Sequence, residues 1–270
     1  MVSIHIDADD AEVYENVDPS DKKLKASFII AALTNALAML NETNTKAVVF
    51  VVGKNLEGNV QYQELLRRFI KEGHAIGNHS FSHAEDFHSW GKVAQVQDIR
   101  LADNIIRASL SCEPLHFRGP GYSSNHGIQS CLLNLGYLFD CTKIPLVYSS
   151  GLDLYFKVIK KSKKSTPSVF RVKDIFFAFA KPIDGIEEQL IHPNRFWGIP
   201  FYSTWIFSKK NQSQFFTKRR KRVQGPFLFH AIDFLDYSNE KSPIPALRIQ
   251  PDERFQIIRS ILVELKGRDL

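Results

Sequence analysis

The 270-residue sequence predicts an α/β fold built on a parallel sheet. Two observations carry this reading. Short apolar, β-branched runs alternate with amphipathic helical stretches, the order that makes a parallel sheet covered by helices. In addition, the titratable residues that interrupt the pattern fall directly after the strand-like runs, where such architectures gather their reactive groups.

Val2, Ile4 and Ile6 alternate with Ser3, His5 and Asp7, a period of two that predicts a strand whose polar face continues to Asp9. Asp18-Pro19-Ser20 is a helix-start signal, and Leu24, Phe28, Leu33, Leu37 and Leu40 recur behind it at helical spacing. AVVFVV at 47–52 suits a strand buried on both faces and ends at Gly53. A helix near Gln61–Glu72 turns Leu65, Leu66, Phe69 and Ile70 inward and stops at Gly73. The order then repeats: strand His74–Gly77, a long amphipathic segment over about 90–110, strand Pro114–Phe117, helix Gly127–Leu135 stopped by Gly136, strand Tyr137–Phe139. Region 146–225 reads as variable and pocket-shaping, with strands predicted around Val169–Phe177 and over 198–207. PFLFH at 226–230 is a further strand. The segment 251–267 is a helix with acidic residues first and Lys266 last, as the helix dipole favours. With no internal repeat and no low-complexity linker, residues 1–270 read as one domain.

The formal net charge is +6, concentrated in KVIKKSKKS at 157–165 and KRRKR at 218–222. Neither run interleaves with aromatics, and no RNP, KH or zinc-finger motif accompanies them, so nucleic acid is not an expected partner. The runs suit solvated loops able to make peripheral contact with an anionic membrane. Cys112, Cys131 and Cys141 form no CxxC pair and read as free thiols. No apolar run reaches the ~18 residues of a membrane span. The opening MVSIHIDADD is not a signal peptide, and the expected location is cytoplasmic.

Four strand-end clusters can carry chemistry. Asp7 and Asp9 stand at i and i+2 on a strand and point the same way, so one can bind a metal while the other stays free as a base. His79 and His83, four apart in HSFSH, can reach one cation from a helical turn or tight loop. With one carboxylate added they leave coordination positions open, the catalytic pattern rather than the closed structural one. Arg118 opens a stiff turn, Arg118-Gly119-Pro120-Gly121-Tyr122, in which the guanidinium can hold a carboxylate charged and backbone N–H groups can meet an oxyanion. His230, closing PFLFH, can serve as a general acid.

Together and in this order the clusters resemble the polysaccharide deacetylase family, also called the NodB-homology family or carbohydrate esterase family four. DADD at 7–10 is similar to its first motif, EGHAIGNHSFSH at 72–83 to its second, RGPGY at 118–122 to its third and LFH at 228–230 to its last. The resemblance implies a distorted (β/α) barrel of about seven parallel strands with outer helices. It implies a divalent metal, commonly zinc, held by Asp9, His79 and His83. It implies Asp7 as catalytic base, Arg118 as the residue orienting it, Gly121 and Tyr122 as the place of the oxyanion donor, and His230 as general acid. The sequence departs from the commonest pattern in placing Ala8 between the two acids, which leaves Asp9 with Asp10 as an alternative pair. Tyr122 stands where glycine is usual, which leaves the donor open, and Asp233 and Asp236 are the candidates to orient His230. The implied reaction is hydrolytic removal of an N-acyl group, foremost N-acetyl, from an amino sugar or saccharide. Without an export signal, a nucleotide sugar or lipid-linked saccharide is the expected substrate. The rival readings are a deformylase or other carbon–nitrogen amide hydrolase on the same site, and a degenerate, non-catalytic binding module.

Overall fold

The computed structural model describes residues 4–10, 22–84, 86–143, 182–189, 207, 225–242 and 244–266. Both basic runs, the Asp18-Pro19-Ser20 signal, the strand expected around 169–177 and, save Phe207, the strand expected over 198–207 lie outside the described residues. The elements in chain order are β1 (Ile4–Ala8), α1 (Lys22–Glu42), β2 (Ala47–Val51), α2 (Gly53–Leu56), α3 (Val60–Lys71), β3 (Ala75–Asn78), α4 (Lys92–Leu110), β4 (His116–Phe117), α5 (His126–Asn134), β5 (Phe139–Asp140), β6 (Glu187–Glu188), β7 (Phe227–His230) and α6 (Pro251–Lys266).

The sheet runs in the order β6-β5-β4-β3-β2-β1-β7. β1 is parallel to β2 and to β7, β3 to β4, β4 to β5, and β5 to β6. This is the parallel α/β arrangement that the alternation predicts. β6 is the exception: two acidic residues carry no apolar signal, and only their backbone pairing with β5 makes them a strand.

Backbone contacts divide the chain into two compact units. The first comprises Met1–Val51, Asn55–Ile76 and Phe201–Leu270. In it β1 is buried at every position, so its polar residues are covered rather than solvated. His5 lies edge-on to Phe50, with 5.1 Å between ring centroids. Three helices of this unit turn apolar faces inward, led by Leu33 and Leu37 of α1, Leu66 and Phe69 of α3 and Ile258 and Leu262 of α6, all buried. Each such side chain contributes about 1.5–3 kcal/mol on leaving water. Asn59 caps α3 by accepting from the Tyr62 N–H at 3.1 Å. The predicted stop, Gly73, sits at φ +83°, a left-handed conformation that costs glycine nothing.

The second unit comprises Val52–Lys54 and Gly77–Pro200. α4 buries Gln95, Asp98, Ile99, Ala102, Asp103, Ile106 and Leu110, a stripe at helical spacing that includes three polar residues. Ile99 packs with Phe87, Phe117, Ile128, Leu132 and Tyr137 as the core. Asn125 caps α5 by accepting from the Ile128 N–H at 3.0 Å. Among the described residues no helix is long and apolar enough to cross a membrane.

Candidate active site

In the first unit, β1 and β7 bring two of the sequence-predicted residues side by side. Their parallel register sets Asp7 opposite His230. Asp7 Oδ2 lies 4.0 Å from His230 Nε2, just outside hydrogen-bond range. Asp7 and Asp9 are both buried, while Asp10 is only partly covered. His230 forms a reciprocal box with Asp233: the Asp233 backbone N–H donates to the imidazole, and the His230 N–H donates to Asp233 Oδ2 at 2.8 Å. Of the two aspartates considered from the sequence, Asp233 makes these contacts and Asp236 is exposed. The segment after His230 is tied down by Arg254 of α6. Its fully buried guanidinium donates to the carbonyls of Asp233, Leu235, Tyr237, Ala246 and Ile249.

In the second unit, the loop after β3 presents His79 and His83, their rings edge to face at 4.7 Å between centroids. His79 Nδ1 lies 2.7 Å from the Arg118 carbonyl oxygen. A carbonyl only accepts, so Nδ1 carries the proton and Nε2 keeps its lone pair. Ser80 and His83 adopt φ of +65° and +49°. Such left-handed residues cost energy and persist where their surroundings over-determine them. Here the surroundings are polar. Asp98 of α4 accepts from the N–H groups of Phe81 at 2.9 Å and Ser82 at 3.2 Å. Ser80 Oγ accepts from the His83 N–H at 3.1 Å, and Asn78 Oδ1 accepts from the Ser80 N–H at 2.8 Å. Asn78 in turn donates to Tyr137 Oη, whose hydroxyl donates to Asp103.

Arg118 is fully buried, and its N–H donates to the Asn78 carbonyl at 2.9 Å. A Cβ at Gly119 would stand 1.9 Å from the Ser123 carbonyl oxygen, so the turn closes only on glycine. Gly121 and Tyr122 are consecutive left-handed residues, φ +56° and +58°. The Tyr122 N–H donates to the Gly119 carbonyl at 3.1 Å, so the turn itself takes up that donor.

Sequence reasoning did not single out Asn78, Asp98, Asp140, Thr142 or Arg254. Two of them carried a signal: Asp98 and Arg254 fall on the apolar stripes of amphipathic helices, where a charge without a partner is too costly to keep.

Residues 30–139 match the family model described as polysaccharide deacetylase. Over this stretch, less than half of the chain, the sequence is similar to the polysaccharide deacetylase family. Similar proteins include a chitin deacetylase from Pestalotiopsis sp, 30% identical over 109 residues that make 40% of this chain and 36% of that one. A peptidoglycan-N-acetylglucosamine deacetylase from Bacillus cereus is 40% identical over 71 residues, 26% of this chain and 22% of its own. The chain thus spans about a third or less of the curated polysaccharide deacetylase relatives it matches. A solved Mycobacterium smegmatis structure named for the polysaccharide deacetylases shares the fold, with a TM-score of 0.57 at 14% identity over 97% of this chain and 83% of that one. The distorted (β/α) architecture that the motifs imply is therefore the one observed.

Proposed function

We propose that this chain is a metal-dependent deacetylase that hydrolyses the N-acetyl group of an amino sugar in an N-acetylglucosamine-containing saccharide. The observation that carries the proposal is a donor pair: the loop after β3 holds the His79 and His83 rings 4.7 Å apart between centroids, and Asp9 is the carboxylate that the resemblance adds to them. Two imidazoles and one carboxylate are the ligands of an open, catalytic zinc site. His79 fits the part, because the bond from Nδ1 to the Arg118 carbonyl leaves Nε2 as the ligand atom, the usual outer-shell arrangement for a metal-bound histidine. When bound, the ion supplies Lewis-acid polarisation of the acyl oxygen and acidifies a water.

The protein's own groups do the rest. Asp7 takes the proton of the attacking water. Arg118 is the residue that the resemblance assigns to orient that carboxylate. The Gly121 N–H serves the oxyanion, since the Tyr122 N–H is engaged in the turn. His230, set opposite Asp7 by the β1–β7 register, delivers as an imidazolium a proton to the leaving amine and is left neutral. The two curated relatives, one acting on chitin and one on peptidoglycan N-acetylglucosamine, support that sugar as the substrate unit.

The test is acetate release from N-acetylated chito-oligosaccharides. Activity should vanish with a chelator, return with added zinc and be abolished in His79→Ala at normal expression. Full turnover by His79→Ala removes the ligand assignment, and faster release from N-formyl than from N-acetyl sugars turns the reading to a deformylase.

A further inference from the structure

We infer that Asp140 and Thr142, at the end of β5, are positioning residues that hold the 119–124 turn in its left-handed form and so set the oxyanion donor. The role of the turn rests on the deacetylase reading above; the clamp rests on hydrogen bonds alone. Thr142 Oγ1 accepts from the Gly119 N–H at 2.9 Å. Asp140 Oδ2 accepts from the Ser124 hydroxyl at 2.6 Å and from the Gln129 amide at 3.3 Å. Asp140 Oδ1 accepts from the Thr142 N–H at 3.1 Å, which joins the two grips into one. The turn is therefore held at both ends by two residues that are themselves buried. The Cys141 N–H between them donates to the Phe117 carbonyl at 2.8 Å, so the clamp is set in the sheet. Gln129 also donates to Glu188 of β6 at 2.9 Å, and Glu188 pairs with Lys143 at 2.6 Å.

The turn needs such a clamp. A non-glycine residue in the left-handed region is strained, and here a tyrosine follows a glycine in it. Without fixed ends the segment would relax and carry the Gly121 N–H with it. A donor displaced by an ångström loses most of its value to the transition state while leaving substrate binding nearly intact.

Thr142→Val keeps the side-chain shape and removes the acceptor; Thr142→Ser keeps the hydroxyl. Asp140→Asn is the companion variant at the other end. Acetate-release kinetics, amide hydrogen exchange over 119–124 and metal content are measured on the full chain. Thr142→Val should lower kcat by about 10- to 100-fold with KM within about twofold. Its turn amides should exchange faster, its metal content should stay at the wild-type level, and Thr142→Ser should restore kcat. Unchanged exchange in Thr142→Val overturns the clamp, and faster exchange with wild-type kcat overturns its link to the oxyanion donor. Should Asp140→Asn fail to fold, Thr142→Val and Thr142→Ser decide alone. A wild-type chain that releases no acetate sinks the deacetylase reading separately, and the exchange data still judge the clamp.

Discussion

After β7 the backbone turns through Ala231–Phe234 and onward to Ile249, leaving carbonyl oxygens directed inward. Arg254 meets five of them with one guanidinium. After β3 and β4 the backbone turns more tightly and leaves N–H groups directed inward. There the buried groups are carboxylates: Asp98 receives the N–H groups of Phe81 and Ser82, and Asp140 receives the Thr142 N–H together with the Ser124 hydroxyl. One unit is pinned by a cation and the other by anions, and the sign follows from which half of the peptide group each loop leaves unpaired. A planar guanidinium offers five donors in a fixed fork, so one residue can serve a long segment. A carboxylate offers two oxygens and serves a short one.

The comparison can be broken where the cation sits. Arg254→Met removes every donor to the segment behind His230 and should cost about 3–5 kcal/mol, read as a lower urea midpoint. Asp98→Asn keeps one acceptor of two and should cost about 1–3 kcal/mol. Because Asp98 grips the loop between His79 and His83, that variant should also weaken zinc binding by about 10- to 100-fold in a chelator competition. If the two substitutions cost the same, one long staple is worth no more than a short one, and the contrast between the units fails.

A smaller effect compares the units through pH. Burial brings His74 in the first unit and His116 in the second down to about 4, with Lys46 and Arg118 respectively adding to the shift. A folded-state value below the ordinary 6.5 means that the unfolded chain binds the proton first. The stability held by these neutral rings is complete above pH 6.5 and is lost as pH falls toward 4. Urea midpoints should decline across that window, and His74→Gln should flatten the decline; a midpoint flat from pH 7 to 4 contradicts the burial of both rings.

Much of the fold was legible because its signals are local. The β-branched run at 47–52 needs no partner to be read, and Gly73 and Gly136 stop helices through their own backbone freedom, at φ +83° and +86°. The paired histidines were legible from spacing, and Asp7 from its place at the end of an apolar strand. What stayed hidden depends on distant partners. The strand predicted at Tyr137–Phe139 runs instead over Phe139–Asp140, since the Tyr137 side chain is drawn into the core with Asn78 and Asp103. The polar face predicted for β1 is not solvated: every position of the strand is buried. Asp140 and Thr142 looked like ordinary loop residues, as nothing near them in sequence announces a turn 16 to 23 positions earlier whose ends they hold.

The pairing of β1 with β7 has a bearing on how the protein is made. Ile4 pairs with Phe227, a partner far away in sequence, so one flank of β1 stays bare until that distant segment has been made. Asp7 consequently gains its neighbour at position 230 only through this long-range pairing, which ties the meeting of the two side chains to the making of the distant strand.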